Sequence, residues 1–207
     1  QCPPLHEATL PLLEDNSQGI AALAWLADDS LLVRTGAWYE PGRVVQINDL
    51  QTRVLADVLM FGNSPDRQSL ALADSAGIRL GPDPTSTQAT TRPLPRGDEG
   101  LPAALAVLAK SDNAIQQLLP FNDGQRALVV RADGVYLCRA EGIVRLLPSA
   151  TELHEQAAEE APSPVQLDMV HAAVSPDGNW IACGQQDGRH HIFDGLGQPV
   201  CEIGPHG

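Results

Sequence analysis

A chain of 207 residues can bury one substantial core or two small ones, and its 43% hydrophobic content is that of an ordinary globular protein, not a disordered tail. Thirteen Lys and Arg against 26 Asp and Glu leave a net charge of −13, with Lys110 the one lysine. Such a surface repels phosphate backbones, so nucleic acid is excluded as an expected partner, while solubility and cationic partners are favoured.

Read in chain order, the sequence repeats a pattern of apolar strand, Asp-containing turn, apolar strand, second turn, third strand. The first unit, roughly 18–53, runs through Ile20–Leu26, the turn Ala27-Asp28-Asp29-Ser30, Leu31–Arg34, and a third strand at Arg43–Leu50. The second, roughly 54–98, has Val54–Phe61, Ser64-Pro65-Asp66-Arg67, Ser69–Ala73 and Gly77–Leu80. The third, roughly 114–148, has Ile115–Pro120, Phe121-Asn122-Asp123-Gly124, Arg126–Val130, Gly134–Arg139 and a fourth strand at Gly142–Leu147. The fourth, roughly 167–204, has Met169–Val174, Ser175-Pro176-Asp177-Gly178, Trp180–Cys183, the turn Gln186-Asp187-Gly188, Arg189–Phe193 and Pro199–Ile203. Asp bonds to backbone two residues on, Pro pre-sets φ and Gly accepts positive φ, so these turns have a mechanical origin.

Two insertions interrupt the spacing. Residues 81–113 hold a polar, Pro-rich run, Gly81–Arg96, then a short predicted helix at Leu101–Lys110. Residues 149–166 open with Ser149-x-x-Glu152, a capping-box pattern, continue through Glu155, Glu159 and Glu160, and end in Ala161-Pro162-Ser163-Pro164. Surface loops explain the first, whereas the acidic second is an even choice between a loop and a partner-docking element.

Strands such as Ala127–Val130 are apolar on both faces, which suits small sheets covered on two sides by their neighbours. The stretch Ala172–Asp194 resembles a WD40-type repeat, with Phe193-Asp194 in place of that family's Trp-Asp pair. Ser-Pro-Asp-Gly also occurs in the related YVTN and TolB-like propellers. The resemblance covers one unit well and three loosely. It implies an all-β fold: a β-propeller of about four blades, part of a seven- or eight-bladed ring. An open arc would bare the flanks of its terminal blades. Three arrangements answer that, in order of preference: the remainder of the propeller lies outside this chain, a second copy completes the ring, or four blades close alone.

No catalytic, cofactor-binding or metal-ligating residue is assigned. His190 and His191 are adjacent on a strand and point to opposite faces, so one is expected between blades and the other opposite it. The resemblance brings His171 near a histidine of a structural hydrogen-bond network, though Gly-His is missing, and a satisfied core or rim histidine is the plainer reading. Asp177 and Asp187 are explained by their turns, and Asp194 is structural by resemblance. Gly195-Leu196-Gly197 opens onto Gln198-Pro199 with no helix, so it is not a phosphate loop. Cys2, Cys138, Cys183 and Cys201 lack CxxC spacing; Cys138 and Cys183 read as buried free thiols, and a Cys183–Cys201 bond between neighbouring strands is geometrically conceivable.

Trp25 reads as core, being in a strand. Trp38 and Tyr39, in the loop before the third strand, read as a contact patch, with Glu155, Glu159 and Glu160 as the acidic counterpart. The apolar run at 103–109 is too short to span a membrane, and no membrane partner is expected. A cytoplasmic site is expected, with a periplasmic or secreted one left open because the chain starts at Gln1. The expected function is a non-catalytic scaffold for protein partners. The alternative is an accessory or substrate-gating propeller of a larger enzyme whose catalytic residues lie outside this chain.

Overall fold

The fold is described from a computed structural model covering residues 19–36, 42–48, 51–85, 89–96, 98, 114–158 and 171–204. Among the described residues, sixteen strands form four antiparallel sheets, each of four strands in sequence order. Blade 1 is β1 (Ile20–Trp25), β2 (Leu31–Thr35), β3 (Gly42–Asn48) and β4 (Gln51–Val58). Blade 2 is β5 (Met60–Asn63), β6 (Leu70–Asp74), β7 (Gly77–Gly81) and β8 (Thr90–Arg92). Blade 3 is β9 (Ile115–Pro120), β10 (Ala127–Arg131), β11 (Gly134–Arg139) and β12 (Gly142–Leu147). Helix α1 (Ala150–Ala157) precedes blade 4, which is β13 (His171–Val174), β14 (Trp180–Gly184), β15 (His190–Asp194) and β16 (Pro199–Ile203).

The first strands of successive blades touch, β1 on β5, β5 on β9 and β9 on β13, so they line the inner side of an arc and the later strands fan outward. Between the sheets lie three apolar layers. Leu32, Val44 and Val58 of blade 1 meet Phe61, Leu70 and Leu72 of blade 2. Ala71, Ala73, Ile78 and Leu80 meet Leu118, Ala127 and Val129 of blade 3. Leu128, Val130 and Leu137 meet Ile181, Cys183 and Phe193 of blade 4. Alternate residues of one strand therefore serve two different layers, which is why β10 is buried at every position.

A shared turn joins the first two strands of blades 2 and 4. In Ser64–Ser69 the Ser64 hydroxyl donates to Asp66 Oδ1 at 2.6 Å and accepts from the Ser69 N–H at 2.9 Å. Ser175, Asp177 and Trp180 repeat this at 2.6 and 2.9 Å. The residue three beyond Leu26, Ser64, Phe121 and Ser175, whose N–H groups close the four turns, is left-handed throughout: Asp29 at φ 59°, Arg67 at 62°, Gly124 at 63° and Gly178 at 69°. These hydrogen bonds, the serine's first, hold the Asp177 carboxyl below its ordinary 3.8.

Several expectations need correction. Val54–Phe61, read as the first strand of blade 2, is cut by Leu59: Gln51–Val58 pairs with β3 as the outer strand of blade 1, and blade 2 begins at Met60. Leu55 and Val58 before the break and Met60 and Phe61 after it are half-buried or buried, so the apolar run hides the break. Blade 1 thus extends past residue 53, and the expected insertion at 81–113 contains β8, the outer strand of blade 2. Trp25 is not core but 55% exposed, because its face of β1 points away from blade 2. Cys138 and Cys183 are buried free thiols, as read from the sequence, and Cys201 is an exposed free thiol, so the bond left open between Cys183 and Cys201 is not formed. His191 is buried, its ring stacked on Phe193 at 6.4 Å, and His190 is exposed, as the strand alternation requires. The helix expected at 101–110 lies outside the described residues.

Two outcomes follow. A Cβ on Gly62 would sit 1.7 Å from the Leu118 carbonyl oxygen, where β5 crosses β9. Gly62→Ala is expected to lower unfolding free energy by at least about 2 kcal/mol, read from the urea midpoint. Asp177 has a lowered folded pKa, so its stabilisation is present above 3.8 and is lost as pH falls below it. Ser175→Ala should therefore flatten the decline of melting temperature on acidification below about pH 4; an unchanged slope would show that the hydroxyl does not hold the carboxylate.

Candidate partner-binding face

An even number of strands per blade has a topological result. The chain leaves each outer strand on the same side from which the next inner strand starts, and the turn between second and third strands lies there too. The exits from β8 and β12 toward the next blade, the short turns at 74–77, 131–134 and 185–189, and the ends of β2 and β3 at Gly36 and Gly42 therefore belong to one face. The Asp-containing first turns, with the links between third and fourth strands, occupy the other.

On the insertion face, blade 3 carries a buried polar cluster at its turn. Arg131 Nε and Nη2 donate to Asp133 Oδ1 and Oδ2, both at 3.0 Å, with side chains only 4% and 1% exposed. Arg131 Nη1 donates to the Pro95 carbonyl at 2.5 Å, pinning the link between blades 2 and 3. Arg145 Nη2 donates to the Asp133 carbonyl at 2.5 Å, and both guanidiniums lie over the Tyr136 ring, at 5.9 and 5.2 Å. Burial raises the Asp133 carboxyl above its ordinary value, outweighing the nearby arginines, and burial likewise raises the Tyr136 phenol. The cluster was missed in the sequence because Ala132-Asp133-Gly134 is a sufficient turn by itself; the available signal was Arg131 closing an otherwise apolar strand.

Helix α1 sits on the same face. The expected capping box forms: the Glu152 N–H donates to Ser149 Oγ at 3.2 Å and the Ser149 N–H to Glu152 Oε2 at 2.5 Å. Leu153 is fully buried beneath the helix, and Glu152 Oε1 lies 3.6 Å from Arg189 Nη1 on the turn of blade 4. Arg189 is also held by Asp187 at 2.6 Å, the main reason its pKa is raised. The helix is thus tied across two blades, with Thr151, His154 and Glu155 facing solvent. Of the expected contact residues, Glu155 is exposed here; Trp38, Tyr39, Glu159 and Glu160 lie outside the described residues.

The opposite face is locked turn to turn. Asn122 Nδ2 donates to the Pro176 carbonyl at 2.5 Å, and Asn122 Oδ1 accepts from the Asp66 N–H at 3.3 Å, linking blades 2, 3 and 4. Arg126 stacks over Phe121 at 4.3 Å and donates to the Gly195 carbonyl of blade 4 at 2.5 Å. Shallow clefts of about 340 and 370 Å³ lie between these turns, flanking Pro82 and Asp83.

Asp28, Asp66, Asp177 and Asp187 are held low by hydrogen bonds within their own turns, so they are acceptors and poor bases at neutral pH. Burial pushes the Cys183 thiol up to about 12, leaving it protonated and unreactive. Among the described residues, no group of three His, Cys, Asp or Glu is placed to hold a metal ion, and no helix is long and apolar enough to cross a membrane.

Asp133→Ala would leave Arg131 buried without its carboxylate, an expected loss of about 3 kcal/mol or more by urea unfolding. A loss below about 1 kcal/mol would mean that the Arg131 guanidinium swings into water at little cost.

No described sequence family and no curated protein matches the chain. Solved structures do. A chain of the mitotic checkpoint complex superposes with a TM-score of 0.54 at 14% identity, over 95% of this chain and 54% of that one. The β-propeller domain of Cps50 (Swd1) from Myceliophteria thermophila superposes with a TM-score of 0.57 at 14% identity, over 92% of this chain and 57% of that one. This chain spans about half the length of the structures it matches. Four antiparallel sheets fanned from touching inner strands, and matched in this way, show that the chain has a β-propeller fold.

Proposed function

We propose that this protein is a non-catalytic scaffold that holds a protein partner on its insertion face. The observation carrying the reading is α1: a capped helix tied by Glu152 to Arg189 of the neighbouring blade, with its outer side turned to solvent. A surface loop has no need of such anchoring; a docking element does, since a rigid contact loses less entropy on binding. Trp38 and Tyr39, which lie between Gly36 and Gly42 in the sequence, supply the aromatic part of the contact. Glu155, Glu159 and Glu160 supply the acidic part, so the partner presents a basic surface. With a net charge of −13, association is fast at low salt and weakens as salt rises.

The test compares faces by cross-linking and quantitative recovery of bound proteins. A partner recovered with the wild-type chain should be lost with Trp38→Ala and with Glu155→Lys, and retained with Gln68→Lys on the opposite face. Trp38→Ala should leave the melting temperature unchanged, since a fall of several degrees would place that ring in the core. Loss with Gln68→Lys and retention with the other two would move the binding surface to the first-turn face and overturn the proposal.

A further inference from the structure

The two clefts on the first-turn face occupy equivalent places in the repeat, each between the outer strand pair of one blade and the first turn of the next. In the cleft of about 340 Å³ the outer pair is Gln46 of β3 with Arg53 of β4, and the turn of blade 2 adds Arg67. In the cleft of about 370 Å³ the corresponding pair is Leu80 with Thr90, and Gly124 of blade 3 stands where Arg67 stands in blade 2. The repeat therefore forms such a cleft without either arginine. Arg67 is also held against its backbone preference. Its φ of 62° matches the 63° of Gly124 and the 69° of Gly178, a region that Asp29 tolerates and a long side chain does not favour. The fold gains no contact from it: among the described residues neither the Arg53 nor the Arg67 guanidinium has a hydrogen-bond or ion-pair partner, and both side chains are exposed. Arg79, Arg126, Arg131, Arg139 and Arg189 all find carboxylates. The carboxylates at hand are engaged by their own turns: Asp28 accepts from Ser30, Asp83 from Thr85, and Asp66 from Ser64 and Gln68.

We propose that the cleft between blades 1 and 2 binds an acidic peptide segment, with Arg53 and Arg67 receiving the carboxylate of an Asp or Glu side chain. A guanidinium presents paired N–H donors in the plane that a carboxylate accepts, and in a chain with 26 acidic side chains against 13 basic ones, two unengaged guanidiniums share this one cleft. Leu26 and Leu55, half-buried in the same walls, leave apolar surface beside them, so the segment carries an apolar residue next to its acidic one. A phosphate fits less well. Asp28 and Asp83 line the cleft too, and a second negative charge on the ligand meets their repulsion with no third guanidinium to offset it. With a net charge of −13 the chain repels anions at long range, so affinity comes from direct contact and the loss of either arginine is felt. This site lies on the face opposite α1, and its ligand is opposite in charge to the partner proposed for that face.

The probe is a fluorescein-labelled peptide with a Leu-Glu pair in an Ala-Gly background, followed by fluorescence anisotropy against the 207-residue chain. Saturable binding is expected below about 1 mM, and at least about tenfold weaker binding for the same peptide with Gln in place of Glu. Arg53→Gln and Arg67→Gly should each weaken the Leu-Glu peptide by about tenfold or more. Arg67→Gly should meanwhile keep or raise the melting temperature, since it places glycine where Gly124 and Gly178 stand. No saturation, equal binding of the Gln peptide, or full affinity in both variants would each overturn the proposal. So would a fall of several degrees in the melting temperature of Arg67→Gly, which would give that guanidinium a role in the fold. Inorganic phosphate displacing the peptide far better than acetate at equal ionic strength would reassign the cleft to a phosphate group. Trp38→Ala and Glu155→Lys should bind the peptide as the wild type does, so this proposal and the proposed function fail separately.

Discussion

The close approach of inner strands is the constraint on which the arc rests. Where β5 crosses β9 there is no room for a side chain on Gly62 beside the Leu118 carbonyl, so the sheets converge on their inner edges and fan apart outside. Each sheet must then bury two faces. The strands answer with apolar residues at successive positions, most completely in β10, where every residue is buried. Burial of that kind is non-directional and fixes no register by itself. Register comes from polar groups at the ends of the strands.

Those polar groups divide by face. On the first-turn side, Asn122 spans blades 2 to 4 and Arg126 reaches the Gly195 carbonyl, so neighbouring turns set each other's height. On the insertion side, Arg131 and Asp133 form a nearly dry pair that also holds the Pro95 carbonyl. Such a pair adds little net stability over an apolar replacement, but it tolerates one geometry, and that geometry fixes where the link between blades 2 and 3 leaves the sheet. The four-strand count does the rest by sending every link between blades to the same side. Scaffold and presentation are thereby separated: one face is bound turn to turn, and the other is free to carry α1.

Much of this was legible. The turns around Asp66, Asp123 and Asp177, the strand meanders and the capping box of Ser149 and Glu152 were readable because each depends on hydrogen bonds within five residues. The opposite fates of His190 and His191 follow from the two-residue period of a strand alone. The break at Leu59 was not readable, since an apolar run looks the same whether it is one strand or two. The short outer strand Thr90–Arg92 was not readable either, being polar and set in a Pro-rich stretch. Of the candidate contact residues, only the anchoring around Glu155 has a structural account, and the Arg189 that ties its helix down is distant in sequence.

The sequence by itself determined that there are repeating antiparallel units, where their first turns fall and which strands are greasy on both sides. These are local matters of turn chemistry and alternation. Only the tertiary structure decided which blade owns each outer strand, that Arg131, Arg145 and Tyr136 gather around Asp133, and that Trp25 and Trp180 stand bare. The reason is physical: whether a strand face is core or surface depends on the blade beside it, and a residue carries no record of its neighbour across the gap.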